Sequence, residues 1–393
     1  MSRGAYWLKQ AECRIDAFAA LVERSTQAAD APLAAEIRGN VPVYDCDALR
    51  RSIAASPDHR AAVMAEWGEV MLNGAGLIVL AGAFSGRAEL DAVDAASAEF
   101  KAIIAEQIAS HGARGDHFAK PGANDRIWNA LEKLCLRAPR AFAAYYANPM
   151  VALVSEAWLG PAYQITSQVN VVNPGGAAQS PHRDYHLGFQ TAEVAASYPA
   201  HVHRLSPVLT LQGAVAHGDM PLESGPTLYL PYSQLYEPGY LAWPLPEFAA
   251  YFDKHHVQLP LNKGDAVFFN PALFHAAGHN RTTDVYRMAN LLQVSSAYGR
   301  AMESVDRVHM SVALYPVLAA LREQGVLDEA ASANVVAACA EGYAFPTNLD
   351  RDPPLGGLAP ASPQDLMRQA LRERWQKADF DAAVHAQAQR RVP

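Results

Sequence analysis

A mainly β core with flanking helices is the fold class this sequence predicts, and three observations carry it. Between residues 151 and 300, short apolar runs alternate with Gly/Pro turns at the frequency of an antiparallel sandwich or jelly roll. Within that stretch, Gln164 to Val172 puts Gln164, Thr166, Gln168 and Asn170 on one face and Ile165, Val169 and Val171 near the other. A strand with one polar and one apolar face suits the wall of a barrel with a polar pocket inside. On either side, apolar residues recur at helical spacing.

The elements follow in chain order. Residues 1 to about 70 read as helical, with Ala17 to Ala29 and Arg60 to Leu72 carrying Ala, Leu, Val and Met at that spacing. Asn73-Gly74-Ala75-Gly76 breaks the helix, and Leu77-Ile78-Val79-Leu80 reads as a short buried strand. Ser85 is placed to cap the next helix, which Leu90, Val93, Ala96, Phe100 and Ile104 stripe and Gly112 ends. From His111 to Asn129 the chain becomes a polar, glycine-containing loop bearing His117, Lys120, Arg126 and Trp128. Such a loop is either a binding lid or a solvated connector. Helical sequence resumes from Trp128 to Asn148.

After the turn Asn173-Pro174-Gly175-Gly176, further strands are expected at 207–215, 227–230, 257–259, 266–269 and 285–294. Beyond Ala297 the pattern is helical again. Ser362-Pro363-Gln364-Asp365 offers a hydroxyl cap, a proline at the first position and a first-turn carboxylate, with Leu366, Ala370, Leu371 and Trp375 as the buried stripe. Residues 1–393 thus read as one domain: a mostly helical flank over 1–150, a β core over 151–300 and a helical flank over 301–393.

Half of the 393 residues are hydrophobic and 18% are charged, a globular composition able to bury a sizeable core. The net charge of −8 comes without basic clusters, which argues against nucleic acid as a partner. Cys13, Cys46, Cys135 and Cys339 are too scattered for metal-ligand spacing. With no leader-like start and no run long enough to span a bilayer, a cytoplasmic protein with free thiols and no membrane partner is expected.

The chemistry concentrates in Ser180-Pro181-His182-Arg183-Asp184-Tyr185-His186 and in Phe268-Phe269-Asn270-Pro271-Ala272-Leu273-Phe274-His275. In an extended strand, His182 and Asp184 point to one face. His275, far downstream, supplies a third donor; His186 and His279 are its rivals. Two histidines and one carboxylate around an ion, with other positions open, form the facial triad of non-haem Fe(II) oxygenases. By itself His-x-Asp is as easily a surface histidine beside an aspartate. Arg287 shares a strand face with Ala289, Leu291 and Gln293. A guanidinium inside an apolar barrel needs an anion, and its fork matches a carboxylate. Arg281 is the alternative, in what reads as an exposed turn.

Taken together, residues from about 70 to 355 resemble the phytanoyl-CoA dioxygenase family of Fe(II)/2-oxoglutarate oxygenases. The resemblance rests on His182-Arg183-Asp184, Gly264-Asp265-Ala266-Val267-Phe268-Phe269-Asn270-Pro271, His275-Ala276-Ala277-Gly278-His279-Asn280, Arg287, and Met220-Pro221-Leu222-Glu223-Ser224-Gly225-Pro226-Thr227. It implies a double-stranded β-helix, a cupin-like jelly roll, between N- and C-terminal helices. It implies Fe(II) held by His182, Asp184 and His275, with 2-oxoglutarate chelating the metal and meeting Arg287 through its far carboxylate. Gln168 and, less directly, Asn170 are the implied further contacts to 2-oxoglutarate. With O2 as the other cosubstrate, the implied outcome is hydroxylation of a small molecule with release of succinate and CO2. Desaturation, epimerisation or cyclisation use the same centre, and a non-catalytic metal- or ligand-binding barrel is the alternative from another class. His117, Lys120, Arg126, Trp128, Tyr185 and His186 are the candidate substrate contacts. Two departures stand out: the His275-to-Arg287 interval is one residue longer than is usual, and Pro231-Tyr232-Ser233-Gln234 replaces the frequent Pro-Gly-Ser-His. Asp184 is intact, whereas relatives that transfer halogen carry a small residue there.

Overall fold

The computed structural model describes residues 6–111, 122–188 and 190–393. In chain order its strands are β1 (Glu36–Arg38), β2 (Val41–Asp45), β3 (Leu77–Ala81), β4 (Asn124–Ile127), β5 (Gln164–Val172), β6 (Thr210–Ala216), β7 (Leu228–Leu230), β8 (Val257–Gln258), β9 (Ala266–Phe269), β10 (Phe274–Ala276) and β11 (Arg287–Ser295). Eight form a large sheet in the order β1-β2-β3-β9-β6-β11-β5-β4, and three form a smaller one in the order β10-β7-β8. The β2–β3 pair is parallel and the other pairs are antiparallel. This is the jelly-roll architecture expected from the middle of the sequence.

The period-2 rule sorts β5 and β11 into two faces. Ile165, Val169, Val171, Met288, Leu292 and Val294 point outward and join Phe100, Leu134, Phe142 and Leu314 of the helices in one buried core. Gln168, Asn170, Arg287, Ala289, Leu291 and Gln293 point the other way, into a cavity between the sheets. At each of the outward hydrophobic side chains, burial contributes about 1.5–3 kcal/mol, which sets strand register: slipping by one residue would expose that row and bury the polar one.

The outward layer contains one polar cluster. His217 lies between the Ser97 hydroxyl (2.8 Å from Nδ1) and the Tyr145 hydroxyl (3.0 Å from Nε2), and Asn290 of β11 donates to Tyr145. Burial pushes His217 down to about 3, so it is neutral at ordinary pH.

Helices cover this outer face from both ends of the chain. Cys46–Ala55, Pro57–Leu72, Gly86–His111, Ala130–Arg137, Pro139–Tyr146 and Pro149–Leu159 come before β5, while Ile15–Val22 packs its Phe18 and Val22 in a separate cluster with Leu230 and Phe274 of the smaller sheet. Arg307–Glu323, Glu329–Cys339, Pro363–Glu373 and Lys377–Arg391 follow β11. The expected start at Ser362 forms a full capping box with Asp365 and has Pro363 at the first position. Ser85 differs from expectation. Its backbone N–H donates to the Glu89 carboxylate (2.7 Å), while its hydroxyl turns away to Asp47 (2.6 Å). The four cysteines are free. Among the described residues no helix is long and apolar enough to cross a membrane.

Three segments correct the sequence reading. Residues 36–45, expected as helix, form the β1–β2 hairpin. Its two-residue turn, Gly39-Asn40, has φ of +56° and +69° as a type I′ turn requires, and Val41 to Tyr44 are buried beside β3. Asn124–Ile127, expected as loop, is the edge strand beside β5. His182 lies not in a regular strand but in an extended segment joined to β10 by a single bridge.

Candidate metal centre

That single bridge brings the two histidines together. His182 N–H donates to the His275 carbonyl (3.0 Å) and His275 N–H to the His182 carbonyl (3.1 Å). One further hydrogen bond, from Asp184 N–H to the Pro271 carbonyl (3.1 Å), holds the segment at the level of the carboxylate. The turn from β9 to β10 is shaped by Asn270, whose Oδ1 accepts from Ala272 N–H (2.9 Å) and whose Nδ2 donates to the Met71 carbonyl (3.2 Å). A short polar side chain bonding the backbone two residues on is an Asx turn, and it delivers His275 to the cavity wall.

One nitrogen or oxygen each from His182, Asp184 and His275 lie within 4.8 Å of one another. The imidazole centroids are 4.4 Å apart; His182 Nε2 is 4.0 Å from Asp184 Oδ1, and His275 Nε2 is 3.7 Å from Asp184 Oδ2. Each ring uses its other nitrogen on its own chain: His182 Nδ1 lies 3.0 Å from the Ser180 carbonyl and His275 Nδ1 2.9 Å from the Leu273 carbonyl. A carbonyl only accepts, so the Nδ1 atoms carry the protons and both Nε2 lone pairs are free to ligate. Burial, together with neighbouring His182, pushes the His275 pKa down and keeps that imidazole neutral. Asp184 accepts a hydrogen bond at Oδ2 from Gln212 Nε2 of β6.

The three donors line a cavity of about 560 Å³, together with Arg287, Gln168 and Asn170. Arg287, the first residue of β11, is 7% exposed, and no described residue accepts a hydrogen bond from its guanidinium; Nη1 is buried without a partner. Burial pulls its pKa down to about 10, against a smaller opposing effect of Tyr229, so it stays cationic at neutral pH. A buried cation with no anionic partner among the described residues fits a ligand carboxylate. Gln168 Oε1 accepts from Arg126 Nη1 (2.9 Å), and because arginine only donates, the Gln168 amide nitrogen remains to meet an acceptor. Asn170 Oδ1 accepts from Asn124 Nδ2 (3.1 Å). Two imidazoles, one carboxylate and a facing unpaired guanidinium fit a ferrous ion and a dicarboxylate that chelates it.

The other sequence candidates divide. Arg126 lines the cavity, with its guanidinium 5.2 Å from the Trp128 ring; Trp128 does not line it. Tyr185 follows Asp184 and points to the opposite side, where it packs on Tyr240 (4.7 Å) and His203 (5.7 Å). His186 lies in a turn, with Nδ1 2.8 Å from the Thr210 hydroxyl, and also stays off the cavity wall. The rivals His279 and Arg281 are exposed. His117 and Lys120 lie outside the described residues. Gln212, a polar residue in a mostly apolar strand pattern, and Arg183, discussed below, are among the cavity residues that escaped sequence reasoning.

Among solved structures, the chain is similar to the non-haem alpha ketoglutarate dependent epimerase SnoN from nogalamycin biosynthesis, at 20% identity and a TM-score of 0.40, covering 62% of this chain and 84% of that one. A complex of SnoN with Fe3+, alpha ketoglutarate and nogalamycin RO gives 19% and 0.43, covering 63% and 88%. The alpha ketoglutarate dependent carbocyclase SnoK gives 20% and 0.42, covering 62% and 88%. No curated protein matches the chain. The model of the family described as phytanoyl-CoA dioxygenase (PhyH) matches residues 37–289, well over half of the sequence. This chain therefore belongs to the phytanoyl-CoA dioxygenase family and is a non-haem iron enzyme that depends on 2-oxoglutarate and O2.

Proposed function

We propose that this enzyme hydroxylates a small molecule, holding iron with His182, Asp184 and His275 and the far carboxylate of 2-oxoglutarate with Arg287. When bound, the iron with 2-oxoglutarate and O2 supplies the oxidising power, and the cosubstrate leaves as succinate and CO2. His182 and His275 turn Nε2 towards the ion site because backbone carbonyls engage their Nδ1 atoms. Asp184 contributes the charge that favours a divalent ion. Arg287 offers a bidentate cation, and the Gln168 amide, with Asn170 beside it, adds hydrogen bonds on the same wall. Burial of His275 and Arg287 in the cavity wall strengthens the interactions these two make. Arg126 is the substrate contact we favour, since it lines the cavity beside Gln168; His117 and Lys120 belong to the same stretch of sequence.

The observation that carries this reading is the pairing of three converging ligand atoms with a buried, partnerless guanidinium across one cavity. Anaerobic addition of Fe(II) and 2-oxoglutarate tests it: the wild type should show the weak visible charge-transfer band of the chelate, and Asp184→Ala should lose it. No band with the wild type would sink the assignment. A substrate screen reading succinate release then tests the outcome. A product heavier by one oxygen is expected; a product of unchanged mass, or one lighter by two hydrogens, would replace hydroxylation with isomerisation or with desaturation or ring closure.

A further inference from the structure

Gln212 is 2% exposed, sits on β6 opposite Gln293 of β11 and Phe269 of β9, and lines the cavity. Its Nε2 donates to Asp184 Oδ2, and its Oε1 is buried without a partner. The two ends of a carboxamide are hard to tell apart from shape alone, but chemistry decides here. An ionised carboxylate only accepts, so the nitrogen must face Asp184 and the oxygen must face away. Leaving a buried amide oxygen unsatisfied is unfavourable, and the bond to the carboxylate is what the arrangement retains. No described basic side chain contacts Asp184 apart from the two histidines.

We infer that Gln212 is a positioning residue for the metal centre: by occupying Asp184 Oδ2, it fixes the carboxylate rotamer and leaves Oδ1 to bind the ion through one oxygen. The inference rests on the reading of His182, Asp184 and His275 as metal ligands, and it adds a residue to it. A charge-assisted bond from a neutral donor orients the carboxylate without cancelling its charge, which a lysine or arginine at this position would do. Gln293 is the built-in comparison, since it stands in the same layer directly across the strand pair and makes no bond to Asp184.

The test uses Co(II), which binds such sites without oxidation and reports its coordination through visible d–d absorption. The full chain is titrated as wild type, Gln212→Met, Gln212→Asn and Gln293→Met, with melting of the metal-free proteins as the check on folding. Gln212→Met keeps the length and loses the donor; Gln212→Asn keeps the amide and retracts it by one methylene. Both should bind Co(II) about 10- to 100-fold more weakly, the usual effect of removing a ligand's hydrogen-bond partner, and with an altered d–d spectrum. Gln293→Met should match the wild type in affinity and spectrum. Wild-type affinity and spectrum in both Gln212 variants would overturn the inference, as would an equal loss in Gln293→Met. A wild type that takes up no Co(II) removes the ligand assignment itself, and the inference with it.

Discussion

Of the arginines that line the cavity, the two buried ones solve the problem of burial in opposite ways. Arg183 and Arg287 are 6% and 7% exposed, and burial pulls both down to about 10. Arg183 donates to the Ser233 carbonyl, and its guanidinium lies 5.3 Å from the ring of Tyr240 and 5.1 Å from that of Phe274. Gly239 completes the fit, since a Cβ there would collide with the guanidinium. Arg287 has neither a ring contact of this kind nor a hydrogen bond to a described residue. Aromatic faces and a carbonyl satisfy most of the buried Arg183 cation structurally, leaving its Nε without a partner. A cation left without them is held ready for something that arrives from outside.

The contrast breaks or sharpens under substitution. The largest effect is expected at Arg183: Arg183→Ala removes a packed side chain between two aromatic rings and should lower stability by about 2–4 kcal/mol in denaturant titration. An unchanged midpoint would make Arg183 a spare cation, and the distinction would collapse. Next, Arg287→Ala should raise the 2-oxoglutarate requirement at least about tenfold, or about 1.4 kcal/mol, as loss of a charge-assisted bidentate pair demands. An unchanged requirement would assign the far carboxylate to another group.

His217 extends the contrast to a buried base that is satisfied while neutral. Its folded pKa, about 3, lies below the ordinary histidine value. Between the two, the unfolded chain binds a proton that the folded chain refuses. Stability is thus fully present above about pH 6.5 and erodes as pH falls towards 3, by up to about 1.4 kcal/mol per unit. His217→Gln should flatten that slope by about one proton, measured as denaturation midpoint against pH; an identical slope would place the titration elsewhere. The smallest effect is expected in the ligand-free protein. Arg287→Met should leave stability equal or raise it by about 1 kcal/mol, because it replaces an unpaired buried charge with an apolar chain of similar reach. A clear loss would show that Arg287 already has a structural partner.

What could be read in the sequence follows the range of the interactions concerned. The polar face of β5, the direction of Arg287 and the convergence of His182 with Asp184 depend on local alternation, and the strand pattern displays them. The β1–β2 hairpin was equally local: Gly39-Asn40 between apolar residues is a two-residue turn signal, hidden by the helical composition around it. β4 was not legible, because Asn124 to Ile127 pairs along an edge through its backbone and carries no apolar alternation. Nor were the roles of Gln212 and Arg183. Their partners lie on segments distant in sequence, and nothing in a lone glutamine or an arginine beside a candidate ligand announces a buried bond.

The carbonyls that accept from the two imidazoles have a consequence for how this centre can change. Ser180 and Leu273 each stand two residues before the histidine they orient, and they do so with the main chain. A point substitution at either leaves the peptide oxygen in place, so drift and design have little grip on ring orientation. Tuning of the ion's surroundings is left to groups that mutation can alter, the carboxylate and the amide that steadies it.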